Sequence, residues 1–298
     1  MTTLRPRKII LLGSVRILLP SVPTLLFLVH SAIAVPQLEC FTFERLEPRL
    51  QAEARRVLLA ALDREALFTM VGPIKPWSTF GEVLAIPDQP ESGGRSESDL
   101  ADLRLIASAL HCGEDLEGEV QLYTQSYNGV RFAEPYVLKR SSARRQISDS
   151  PDFFRRVGVD QDSSLQELLQ KAEHSSRYDR FRAYGLLFGY PSLAVDFFVR
   201  AAEIEDLTGA FVARQFIGIP TFGSENGHFV WAVPVGHQET PEEAEIRTTA
   251  RMILERYRSL RDKWIGSQGT STAPRSLELI REWFHDGNGD YSPDHARF

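Results

Sequence analysis

The stretch Glu119-Val120-Gln121-Leu122-Tyr123-Thr124-Gln125-Ser126-Tyr127-Asn128-Gly129-Val130-Arg131-Phe132-Ala133-Glu134-Pro135-Tyr136-Val137-Leu138 decides the fold class. Val120, Leu122 and Thr124 alternate with other residues, the two-residue period of a strand. Asn128-Gly129 supplies the positive φ that a tight hairpin turn requires, and Val130 to Leu138 returns. Pro135 has no backbone donor, so the pattern predicts that the returning strand is an edge or is bulged. A second hairpin is predicted where Gln215 to Ile219 meets Phe229 to Val235 through Gly223-Ser224-Glu225-Asn226-Gly227. Phe229 to Val233 is apolar on both faces, which suits a strand covered on both sides.

Helical patterns surround these hairpins. Leu50, Ala54, Val57 and Ala61 recur at steps of four and three after Pro48, and that run extends towards Phe68 before Gly72-Pro73 breaks it. Helices follow near Asp99–His111, Pro151–Val157, Leu165–His174, Tyr178–Phe188 and Pro191–Ile204. Phe188-Gly189-Tyr190-Pro191 separates the last two, with Gly to close one helix and Pro to open the next. Thr240-Pro241-Glu242-Glu243 has the form of a capping box. The stripe Ile246, Ala250, Ile253, Tyr257, Leu260 and Trp264 marks the long helix behind it. Strands in hairpins between helices predict an α+β fold, a small, mainly antiparallel sheet packed with several helices. The βαβα alternation of a doubly wound sheet and the glycine-rich phosphate loops are absent from the sequence.

The N-terminus carries an export pattern. Arg5, Arg7 and Lys8 precede an apolar run from Ile17 to Val29, and Ala32-Ile33-Ala34 has the small-x-small form of a cleavage site. The expected organisation is a signal peptide at 1–34 and one α+β domain at 35–266, with a subdivision near 145 as the alternative. A linker, short helix and polar tail would follow at 267–298. Arg16, Pro20 and Pro23 interrupt the apolar run, so retention as a membrane anchor is the competing reading. Cleavage would remove four bases and no acid, moving the formal charge from −6 to −10. Such a chain suits neither nucleic acid nor an anionic membrane surface. Its expected location is periplasmic or extracellular, and its expected partner belongs to the envelope or the extracellular space.

The two cysteines, Cys40 and Cys112, can pair in one way only, so export predicts a disulfide between them. The tail His285-Asp286-Gly287-Asn288-Gly289-Asp290-Tyr291-Ser292-Pro293-Asp294 places Asp286, Asn288, Asp290 and Asp294 at the spacing of calcium-loop ligands. It also departs from that loop, since Tyr291 occupies the glycine position and Arg297 that of the bidentate acid. These departures favour a polar acidic tail without metal, so no cofactor is predicted and calcium is the alternative.

Catalytic candidates are Lys75, Ser78, Asp196 and His228. The proline-bounded loop Gly72–Gly81 can present Lys75 and the hydroxyls of Ser78 and Thr79 to an anion, with Trp77 stacked on it. In the alternative, Trp77 and Phe80 plug the core while Lys75 reaches water along its stem. Asp196 lies among Leu193, Ala194, Val195, Phe197 and Phe198, with Arg182 and Arg200 nearby, and the i,i+4 spacing predicts pairing with Arg200. Two function classes follow. The first is an exported binding or structural module; the second is a hydrolase with its site near Lys75, Ser78 and His228. Convergence of those residues in one cavity would separate the two.

Overall fold

A computed structural model describes residues 40–88, 95–266 and 274–284. After a 3-10 turn at Phe43–Arg45, the chain forms α1 (Pro48–Leu62), α2 (Ala66–Met70), β1 (Trp77–Thr79), β2 (Leu84–Pro87) and α3 (Arg95–Ser108). The first hairpin is β3 (Leu116–Leu122) with β4 (Val130–Lys139), followed by α4 (Arg140–Asp149), α5 (Pro151–Arg156) and α6 (Leu165–His174). Then come α7 (Arg177–Leu187), α8 (Ser192–Thr208), the hairpin β5 (Arg214–Ile219) and β6 (Phe229–Pro234), α9 (Pro241–Trp264) and α10 (Ser276–Phe284). Antiparallel sheets of four and two strands, packed with helices, make this an α+β fold.

One expectation about the first hairpin fails. The strand containing Pro135 is neither an edge nor the bulged partner; β4 is the centre of the four-stranded sheet, with β3 on one side and β1 and β2 on the other. The bulge lies in the neighbour. Between Thr79, opposite Tyr136, and Leu84, opposite Ala133, the neighbour has four residues where β4 has two. The Pro135 carbonyl points into that gap and accepts from Phe80 N at 3.0 Å. Its missing donor points the same way, to a place where no ladder bond is interrupted.

The apolar residues collect in two clusters. The larger joins α1, α2, α9, α10 and the inner face of β6. The smaller gathers Trp77, Tyr136 and Leu138 against α4 to α8, and Tyr190 packs on both. The helical run from Pro48 towards Phe68 is split at Asp63, which accepts Tyr257 Oη at 2.7 Å and both Nε and an Nη of Arg261 at 2.8 and 3.0 Å. These bonds tie the break to α9, which explains why no breaker residue marks it. The final helix is core: Leu277, Leu279, Ile280, Trp283 and Phe284 are buried, and Ser276 Oγ donates to the Arg55 carbonyl of α1 at 2.6 Å. The polar segment before it hides this in the sequence, whereas the five large apolar residues within nine express it. Cys40 and Cys112 form a disulfide.

Candidate binding cleft along α7

The predicted catalytic residues do not meet. Lys75 and Ser78 are fully buried, whereas Asp196 and His228 are exposed. Ser78 Oγ lies 2.7 Å from Thr69 Oγ1 and 3.4 Å from the Glu65 carbonyl, partners that leave it no general base. Asp196 pairs with Arg182 of α7 at 2.5 Å rather than with Arg200, because α7 and α8 pack side by side. Trp77 and Phe80 do plug the core. Lys75 does not reach water. Its Nζ sits 4.2 Å from the ring centre of Phe229, 5.2 Å from Phe188 and 5.7 Å from Tyr190. Burial lowers its pKa to about 8, although the charge of Glu65 pulls in the opposite direction.

The lysine–proline loop and the Phe188–Pro191 break, distinct motifs in the sequence, are two halves of one contact. Gly189 has φ +74°, and a Cβ there would lie 2.2 Å from the Ile74 carbonyl oxygen and 3.1 Å from Lys75 Cα. Only glycine lets the two backbones approach this closely. Behind it, Trp77 stacks on Phe188 at 4.8 Å and on Tyr184 at 5.3 Å, and meets Tyr136 edge-on at 5.7 Å. Trp77 thus backs Tyr184 and Phe188, the same rings that border the cleft beside α7.

That cleft has two parts. An apolar trough of about 360 Å³ is bounded by α7, α8 and the β5–β6 hairpin, with Phe188, Phe198, Phe216, Val230 and Trp231 among its walls. Beside it is a recess of about 750 Å³ lined by Tyr123, Tyr127, Phe132, Glu134, Glu173 and Arg180, with Gln125 and Arg177 also contributing. Phe181 and Tyr184 of α7 line both spaces. Steps of four, three and four residues put Arg177, Phe181, Tyr184 and Phe188 on one stripe, so charge passes to aromatic surface along a single face.

The recess is polar but balanced. Glu173 accepts from Thr124 N at 2.9 Å, from Thr124 Oγ1 at 2.6 Å and from the Tyr184 hydroxyl. Burial alone would raise its pKa, but these bonds hold it below the usual carboxylate value. Glu134 behaves oppositely. Burial raises its pKa, although the Tyr123 hydroxyl donates to it at 3.0 Å and the Thr79 hydroxyl also bonds it. Arg177 is paired with Asp206 at 2.5 Å. Arg180 donates one long bond, 3.4 Å, to the Glu173 carbonyl and forms no ion pair among the described residues.

Among the described residues no three His, Cys, Asp or Glu side chains converge to hold a metal ion. Asp286, Asn288, Asp290 and Asp294 lie outside the described residues, as does the 1–34 segment. Comparison with known protein families, curated proteins and solved structures finds no match to the chain. The chemistry of the cleft therefore rests on its own residues. Sequence reasoning misses Tyr123, Glu134, Glu173 and Arg180 because they lie on three different elements and the loop after β3. The aromatic spacing of α7 was the available signal, and it resembles an ordinary core stripe.

Proposed function

We propose that this chain is an exported binding module that holds a small organic ligand in the cleft along α7. The apolar part of the ligand occupies the trough and its polar part the recess. The observation that carries this reading is the pair of shared walls, Phe181 and Tyr184, which set an apolar and a polar space side by side along α7. Both volumes fall in the range of about 300–1,000 Å³ common to small-molecule sites. A Cys40–Cys112 disulfide suits an oxidising compartment. No helix among the described residues is long and apolar enough to cross a membrane. The alternative, a hydrolase at Lys75, Ser78 and His228, is less favoured, since Lys75 and Ser78 are buried and His228 is exposed.

The test is a titration with N-phenyl-1-naphthylamine, an uncharged fluorophore that brightens in apolar surroundings. Saturable binding is expected, weakened at least about fivefold, or about 1 kcal/mol, by Phe216→Ala and by Val230→Trp. Phe216 is mostly exposed, so its truncation leaves the fold intact and separates lost binding from lost structure. Absence of saturable binding, or indifference to both substitutions, overturns the proposal.

A further inference from the structure

We infer that the natural ligand is an uncharged glycoside, with its sugar in the recess and its apolar aglycone in the trough. The inference rests on the binding reading above and names the class of ligand. A sugar ring offers two chemistries, hydroxyl groups at its edge and apolar C–H faces above and below. The recess answers both. Tyr127 is 58% exposed, its hydroxyl is held by Gln125 Oε1 at 2.7 Å, and its ring lies 6.3 Å from that of Phe132. Two adjoining aromatic walls give a C–H face something to pack against.

The hydrogen-bond inventory supplies the hydroxyl partners. A carboxylate has about four acceptor positions and a guanidinium five donors. Glu134 has two protein donors and Glu173 three, so each keeps acceptor capacity for the ligand. Arg180 spends one donor on the Glu173 carbonyl. A hydroxyl, which donates and accepts, uses both kinds of group.

Charge decides against an ionic head. Glu173 is held ionised and Arg180 acts on it electrostatically, while Arg177 is already neutralised by Asp206. An anion entering the recess meets Glu134 and Glu173, and a cation meets Arg180, which forms no ion pair among the described residues. A neutral polyol meets neither penalty. The apolar lining of the adjoining trough then calls for an aglycone of hydrocarbon character.

The experiment compares three amphiphiles with one tail, each below its micellar concentration, by isothermal titration calorimetry on the full exported chain. These are n-octyl-β-D-glucopyranoside, octyl sulfate and octyltrimethylammonium. The glucoside is expected to bind at least tenfold tighter than either ion. Tyr127→Ala and Glu134→Gln should each weaken the glucoside at least fivefold, and by more than they weaken N-phenyl-1-naphthylamine. Equal affinity for the three heads, preference for either ion, or indifference to both substitutions overturns the glycoside. If the fluorophore still responds to Phe216→Ala in that case, the binding module stands and only the ligand class falls.

Discussion

Lys75 brings a positive charge into the core and gives it aromatic faces instead of water. Its native pKa near 8 lies below the ordinary 10.5, so the unfolded chain holds more protons between those values. Stability therefore rises as pH increases from 8 to 10.5, and the full cost of the buried charge is present at neutral pH. That cost is on the order of 3 kcal/mol, offset by ring contacts of roughly 1–2 kcal/mol each when desolvated. Lys75→Met keeps the stem and removes the charge. Chemical denaturation at pH 7 should show the variant at least as stable as the parent, and the parent should gain on it as pH rises above 8. A variant that is less stable at pH 7, with no convergence at alkaline pH, would show that the ring contacts outweigh the burial.

At the scale of elements, Glu243 clips the β6 strand to the start of α9. It accepts Trp231 Nε1 at 3.0 Å and Thr240 N at 2.7 Å, lies 2.7 Å from His237 Nε2, and completes the capping box with Thr240. Burial pushes its pKa up, but these bonds prevail and bring it down to about 2. Its stabilising contribution is thus complete above the ordinary value near 4.5 and is lost as pH falls from there towards 2. Glu243→Gln should cost on the order of 3 kcal/mol at pH 7 in urea unfolding, and the gap should close across that acid window. A gap that persists at pH 2 would make packing, not charge, the cause. The sequence shows the capping box because its partners lie three residues apart. It hides the roles of Trp231 and His237, which only the turn after β6 brings to the helix. The same limit explains β1: three residues, Trp77–Thr79, carry no strand periodicity, and their state comes from pairing with β4.

For the molecule as a whole, local signals expose the two hairpins, the long helices and the cysteine pair, and the candidate site stays hidden. Glu134 on β4, Glu173 on α6 and Arg180 on α7 meet only through packing of the smaller cluster, which no periodicity encodes. The disulfide is the long-range contact that elimination alone can find, and its effect can be separated from that of the cleft. It closes a span of 72 residues that includes α1, α2, β1, β2 and α3. Constraint of the unfolded chain by such a loop is worth roughly 4 kcal/mol, with less delivered in many proteins. In the native state the same region has other fasteners. Phe41 N bonds the His111 carbonyl at 2.9 Å, Thr42 N bonds the Ala109 carbonyl at 3.1 Å, and Arg281 holds the Phe41 carbonyl at 2.8 Å. Removing the bridge with Cys40→Ser and Cys112→Ser should therefore act mainly on the unfolded state. The expected result is a loss of about 2–4 kcal/mol in urea, with fluorophore affinity in the α7 cleft unchanged. A matching loss of affinity would mean that the bridge sets the geometry of the cleft, and its role would then be native rather than entropic.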